Sequence, residues 1–250
     1  MKKAYYLILF VVFSACNSEN GNDCFQKTGT IIETAFETTE FSSIRIEGEV
    51  SLVVKQGDVQ EIIIETGENL INDVFVGVTE GVLVIRDENT CNFVRDYGIT
   101  KAYVTTPNIT ELRNSSSYDI TSDGVLRFPD LLLTSDTSGG IEDVRKGGDF
   151  YLQIDCENFK VSANGQSVFY ISGTADTARI SFNDENPRFE GQNLQISELS
   201  VFQRSANKMI VHPIDKIIGD IRGTGDIIAV NRPPVVLVNE FFTGRLLFED

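Results

Sequence analysis

Nucleophilic or metal chemistry in this 250-residue chain would have to be assembled from four cysteines and a single histidine. His212 stands immediately before Pro213, so a serine triad or imidazole zinc site would depend on that one ring. No Gly-x-Ser-x-Gly elbow, His-Glu-x-x-His pair or Cys-x-x-Cys pair is present, and His212 is read as a turn or rim residue. Cys156 falls in LQIDCENF in phase with Leu152 and Ile154, which marks a buried small hydrophobe. A Gly-x-Gly occurs in GDIRGTGDIIAV, residues 219–230. A dinucleotide loop needs a third glycine where Ile228 stands and a helix afterwards to aim its N-terminus at phosphate. Ile227, Ile228 and Val230 favour a strand instead, so Gly223 and Gly225 are read as corner residues and nucleotide is excluded as a ligand.

Carboxylates and aromatic rings come next. NDEN at 183–186 and RDEN at 86–89 offer oxygen ligands, yet neither matches a calcium loop, and both are read as solvated loops with no metal. Asp176, Asp184, Glu185, Arg179 and Arg204 would suit a glycosidic cleavage site if they shared a groove, but no spacing selects them. The chain has no Trp, so a sugar platform would draw on Tyr97, Tyr118, Tyr151 and Tyr170, all near expected turns. Arg95 and Tyr97 flank Cys91 and form a candidate ligand-contact patch, with packing as the alternative reading. No cofactor is implied.

The elements that carry these residues begin with an export signal. MKKAYYLILFVVFSAC has two lysines, ten apolar residues from Ala4 to Phe13 and small residues before Cys16. That is a signal peptide over 1–15, too short to span a bilayer, which needs about 20 apolar residues. FSAC resembles the bacterial lipobox, apart from Phe13 in place of the usual Leu, and so Cys16 is the expected lipidation site. Residues 16–23 then form a polar tether. Removing Lys2 and Lys3 with the signal shifts the net charge from −16 to −18. That balance excludes nucleic-acid binding, which needs clustered cations. In an exported chain Cys24 and Cys91 are candidates for a disulfide, two separate thiols being the alternative.

Strand signals run from there to the end, as in SSIRIEGEVSLVVKQG, EIIIETG and VLVIRDEN. From about Asn108 short segments recur at 116, 138, 157, 176, 206, 224 and 243, with steps of 22, 19, 19, 30, 18 and 19 residues. A period near 19 suits one winding of a β-solenoid, whose stacked windings share a continuous core. The long step is read as an inserted loop over Asn183–Gly191. The expected architecture is all-β: a parallel β-solenoid (β-helix-like) over 108–250, continuous with an N-terminal strand-rich cap over 24–107 that covers one open end. Arg245, Glu249 and Asp250 guard the other end.

DCFQKTG at 23–29, NTCNFVRDYGITKAYVTTPNITEL at 89–112 and IIGDIRGTGDII at 217–228 resemble the putative auto-transporter adhesin, head GIN domain family of Bacteroidetes envelope lipoproteins. The resemblance implies an envelope β-solenoid, often lipid-anchored, with a provisional adhesin role and no established catalytic residues. The expected function is non-catalytic binding of an envelope or host protein or glycan through the lateral faces. The membrane is engaged through the N-terminal lipid, and the location is the outer membrane, periplasmic or surface-facing. The alternatives are a polysaccharide lyase or hydrolase on the same scaffold, and a structural envelope spacer.

Overall fold

Alternating apolar residues dominate the chain, and the computed structural model, which describes residues 23–89, 91–140 and 144–249, is all-β. Among the described residues the helical content is two 3₁₀ turns, Asp23–Phe25 and Ile71–Asp73. Among the described residues seventeen strands form one hydrogen-bonded sheet that curls into a nearly closed, barrel-like shape.

Its C-terminal part is built from long strands in parallel: β11 (Phe150–Ala163), β12 (Val168–Phe182), β13 (Arg188–Gln203) and β14 (Met209–Ile221). β14 continues onto two shorter pieces, β15 (Ile227–Ala229) and β16 (Val235–Glu240), and β15 onto β17 (Leu246–Phe248). The in-register column Phe150, Phe169, Phe189, Met209, Ile227, Leu246 advances by 19, 20, 20, 18 and 19 residues. Along this ladder the inward side chains of successive strands stack on one another. Phe150 and Phe169 lie 4.7 Å apart between ring centroids, and Phe169 meets Phe182 at 6.0 Å. The phenylalanines belong to one apolar core running from Phe41 to Ala229, and Leu246 packs against it.

The N-terminal strands feed the same stack. β2 (Ser43–Gly48) and β3 (Ser51–Gln56) pair in parallel with β8 (Glu111–Ser116) and β9 (Ile120–Leu126). β8 pairs with β10 (Asp130–Ser135), and β9 and β10 then pair with the two halves of β11. Around them the pairing turns antiparallel: β4 (Glu61–Gly67) lies between β1 (Ile31–Phe36) and β7 (Lys101–Thr106), and β5 (Val74–Thr79) forms a hairpin with β6 (Val82–Asp87).

Two expectations about the repeat need correction. Asn183–Gly191 is not an inserted loop: a short turn ends before Arg188, where a full strand, β13, begins. The segments at 157 and 176 pair with each other on one side of the winding, whereas those at 206, 224 and 243 pair on the other. The 30-residue step therefore spans a whole winding plus a change of side. The segment at 138 falls in the connection between β10 and β11; its Ile141–Asp143 lie outside the described residues, and the described residues beside them are not in strands.

Gly223 and Gly225 lie in the turn between β14 and β15. A Cβ on Gly225 would lie 1.9 Å from the carbonyl oxygen of Asn207, and one on Gly223 2.3 Å from that of Ser205. The backbone of one winding rests directly on the next, which only a residue without a side chain permits. A strand, β15, follows, and no helix is launched toward a phosphate.

Candidate functional site

Strand alternation sends Phe150, Leu152 and Ile154 of β11 inward and Tyr151, Gln153 and Asp155 outward. The next winding places Tyr170, Ser172 and Thr174 beside that outward set, in register. Tyr151 and Tyr170 stack with centroids 4.7 Å apart and planes within 9°, and remain 42% and 40% exposed. On the other side Tyr151 is paired with Thr121, so no third ring continues the ladder. There β9 bulges: the partners of Tyr151 and Gln153 are Thr121 and Val125, and the intervening residues stand away. Gly124 takes φ +87° at this bulge with nothing within 4 Å of a built Cβ. The outcome is a cleft of ≈ 290 Å³ beside the tyrosines, lined by Ser122, Gly124, Gln153 and Ser172 among others.

An acidic ledge borders the rings. Asp119 Oδ1 accepts the Asp149 amide at 2.9 Å, and Asp149 Oδ1 accepts the Val168 amide at 2.7 Å. The Tyr151 phenol feels the charge of the Asp149 carboxylate. Burial pushes the Asp149 carboxyl above its ordinary range, the Val168 amide opposes this, and the neighbouring Asp119 charge adds to the rise. Burial also raises the Tyr151 phenol, reinforced by Asp149 and Asp119. Aromatic faces beside hydroxyl, amide and carboxylate groups suit the C–H face and hydroxyl edge of a sugar ring, or an aromatic or cationic protein side chain.

The other candidates are dispersed. Cys16 lies outside the described residues, as do the signal peptide and nearly all of the tether. Cys24 and Cys91 are joined in a disulfide across 67 positions of sequence. Arg95 sends its guanidinium to the carbonyls of Gln26 at 3.1 Å and Cys91 at 3.0 Å, so it pins the N-terminal segment to the bridge. Tyr97 is exposed and donates its hydroxyl to the Asn92 carbonyl at 3.1 Å. Cys156 is a buried free thiol, and burial pushes its pKa up to about 12. His212 is not in a turn but inside β14, its Nδ1 3.0 Å from the Gln192 carbonyl oxygen.

The charged clusters are spoken for locally. In RDEN, Arg86 binds Glu47 and Glu88, while Asp87 accepts hydrogen bonds from Asn89 and Thr100. In NDEN, Glu185 holds Lys146 at 2.6 Å. Asp176 and Arg179 lie on β12, Asp184 and Glu185 in the turn after it, and Arg204 in the turn after β13, rather than in one acid–base pair. No group of three His, Cys, Asp or Glu among the described residues is arranged as a metal set.

Tyr151 and Tyr170 lie near turns, at the starts of β11 and β12, and their stacking is legible only in the 19-residue spacing of FY at 150–151 and FY at 169–170. The Asp119–Asp149 ledge had no such signal, because the chain between those residues is longer than one winding.

A family described as "Putative auto-transporter adhesin, head GIN domain" matches residues 40–233. No curated protein matches significantly. Among solved structures, a putative adhesin from Bacteroides fragilis has TM-score 0.78 at 16% identity, over 89% of this chain and 99% of that one. A putative adhesin from Parabacteroides distasonis has TM-score 0.64 at 13% identity, over 89% and 99%. A protein of the same species described as a putative lipid binding protein has TM-score 0.62 at 14% identity, over 90% and 99%. At such identities the likeness is one of fold.

Proposed function

The chain belongs to the putative auto-transporter adhesin, head GIN domain family, and from that premise we propose that it is a non-catalytic contact protein of the cell envelope that binds a glycan through the face carrying Tyr151 and Tyr170. The observation that carries this reading is the exposed tyrosine stack beside an open cleft, an arrangement that offers binding surface rather than a reacting pair. The supporting scaffold is a parallel β-solenoid whose windings are continuous with the N-terminal strand-rich region. A solenoid presents long flat sides, and its nearest-neighbour stacking tolerates variation of outward residues without loss of the core.

Attachment through a lipidated Cys16, with residues 16–23 as tether, would hold this face at the outer membrane. The sequence FSAC after an apolar run supports that reading. Two or three acyl chains suffice for stable anchoring at roughly 0.8 kcal/mol per buried CH₂. No helix among the described residues is long and apolar enough to cross a membrane.

Glycan and protein arrays probed with the purified protein, alongside Tyr151→Ala, test the contact role. Retention of glycan signal by wild type and its loss in the variant is expected. Reducing-sugar release from a carbohydrate panel would instead establish an enzyme. Cys16→Ser is expected to move the protein out of membrane fractions, and unchanged membrane association would remove the lipid anchor.

A further inference from the structure

The alternation of β11 breaks at Glu157 and Asn158, two successive residues that are not buried, and the strand turns a corner there. Beyond it the outward positions form a second face, separate from the tyrosines. Lys160 of β11 and Arg179 of β12 stand on it as register partners. Neighbouring strands are about 4.8 Å apart, so two like charges are held side by side, a destabilising pairing.

That juxtaposition is unusual in a chain of net charge −16. Many of the other cations are met by carboxylates: Arg113 by Glu111 and Asp136, Lys146 by Glu185, Lys101 by Glu65. Lys160 and Arg179 form no ion pair with any described residue, and the one hydrogen bond recorded for Arg179 is a 3.5 Å contact to Ser181 Oγ. Both line a cleft of ≈ 210 Å³ whose other walls include Thr177, Ser200 and Ile218. Its one carboxylate, Glu198, is already held by Lys216 at 3.2 Å.

We propose that Lys160 and Arg179 form a binding site for the carboxylate of a sugar acid. A planar carboxylate accepts two N–H groups from a guanidinium fork and a further charge-assisted bond from an ammonium, which resolves the like-charge pairing. Thr177 and Ser200 supply hydroxyls, and Ile218 an apolar patch, at the dimensions of a sugar ring. The strong negative charge of the whole chain disfavours polyanions and anionic bilayers, whose potential acts on the entire surface. One acidic unit in an otherwise neutral glycan feels mainly the local pair. This inference rests on the cation pair alone, not on the tyrosine face.

Calorimetric titration of the full chain with sodium glucuronate tests it, with glucose, inorganic phosphate and phosphatidylglycerol vesicles as separate arms. Saturable glucuronate binding that weakens with salt, and none for glucose, is expected. Lys160→Gln and Arg179→Gln should each weaken it about tenfold or more, with the melting temperature kept or raised. Arg179→Lys should retain part of the affinity, and Tyr151→Ala all of it. Absence of glucuronate binding, or binding indifferent to both glutamine variants, overturns the site. Phosphate binding as tight as glucuronate overturns the ligand class, and preferential binding of vesicles overturns it in favour of a membrane.

Discussion

Tyr151 and Tyr170 are 19 residues apart in the chain and lie ring on ring, centroids 4.7 Å apart, on the outside of adjacent windings. The same register stacks Phe150 on Phe169 inside, so one repeat builds both a core and a surface. Replacing Tyr170 by Ala should cost about 1 kcal/mol of stability from lost stacking. Tyr151→Ala should cost a similar amount and also weaken glycan binding about fivefold or more. Chemical denaturation and array titration measure the two effects separately; a Tyr151→Ala protein with full binding would exclude this face.

The Cys24–Cys91 bridge closes a long loop, and chain-entropy reasoning puts its contribution at roughly 4 kcal/mol as an upper bound. Cys24→Ser with Cys91→Ser is expected to lower the denaturation midpoint, as is reduction of the wild type. Cys156 should stay silent to thiol reagents until the protein unfolds, because its thiol is buried and its pKa is pushed up to about 12. Prompt labelling of a single thiol in native, oxidised protein lacking Cys16 would contradict this.

Gly225→Ala forces a methyl against the Asn207 carbonyl oxygen, 1.9 Å from where the Cβ would sit, with backbone that has nowhere to go. A loss of about 2 kcal/mol or more is expected. Gly147→Ala, where nothing lies within 4 Å, should fall within about 0.5 kcal/mol of wild type. Thermal or urea unfolding of the pair decides whether close stacking of windings, rather than glycine content, is what matters.

Asp136 gives a pH signature. Burial would raise its carboxyl, but hydrogen bonds from Ser138 and Ser162 outweigh that, aided by Arg113, and hold it below the ordinary aspartate value of 3.8. A carboxylate lowered on folding stabilises above its unfolded pKa and ceases to do so as pH falls through the folded value. The stability lost by Asp136→Asn should therefore be full near neutrality and shrink as pH drops below 3.8, toward the lower folded pKa. A difference that is constant across acid unfolding curves would mean that the carboxylate charge is irrelevant.

What depends on local pattern is legible in the sequence. Alternation revealed the strands, Ile227 and Ile228 ruled out a phosphate loop after Gly225, and Leu152 and Ile154 located Cys156 in the core. Local pattern misleads where it has two phases. Each winding carries two apolar runs on different sides, and matching the run at 176 to the one at 206 hid β13 entirely. The tyrosine stack and the Lys160–Arg179 pair need register as well as composition, since strand partners advance by 17 to 21 residues between the long strands rather than by a fixed number. The bulge at Gly124 that opens the cleft lies where the register of β9 on β11 shifts between Tyr151 and Gln153, and register is a property of two strands rather than of one segment.

Strands β16 and β17 each have one described partner, β14 and β15 respectively, and Val235, Val236 and Leu237 stand exposed along that last tier. Arg222 over Phe241 and Arg232 over Phe248 act as rivets there. Because each tier leans only on its neighbour, opening is least costly at this terminus, and amide exchange should sweep from residues 235–248 inward like a zip undone from its loose end.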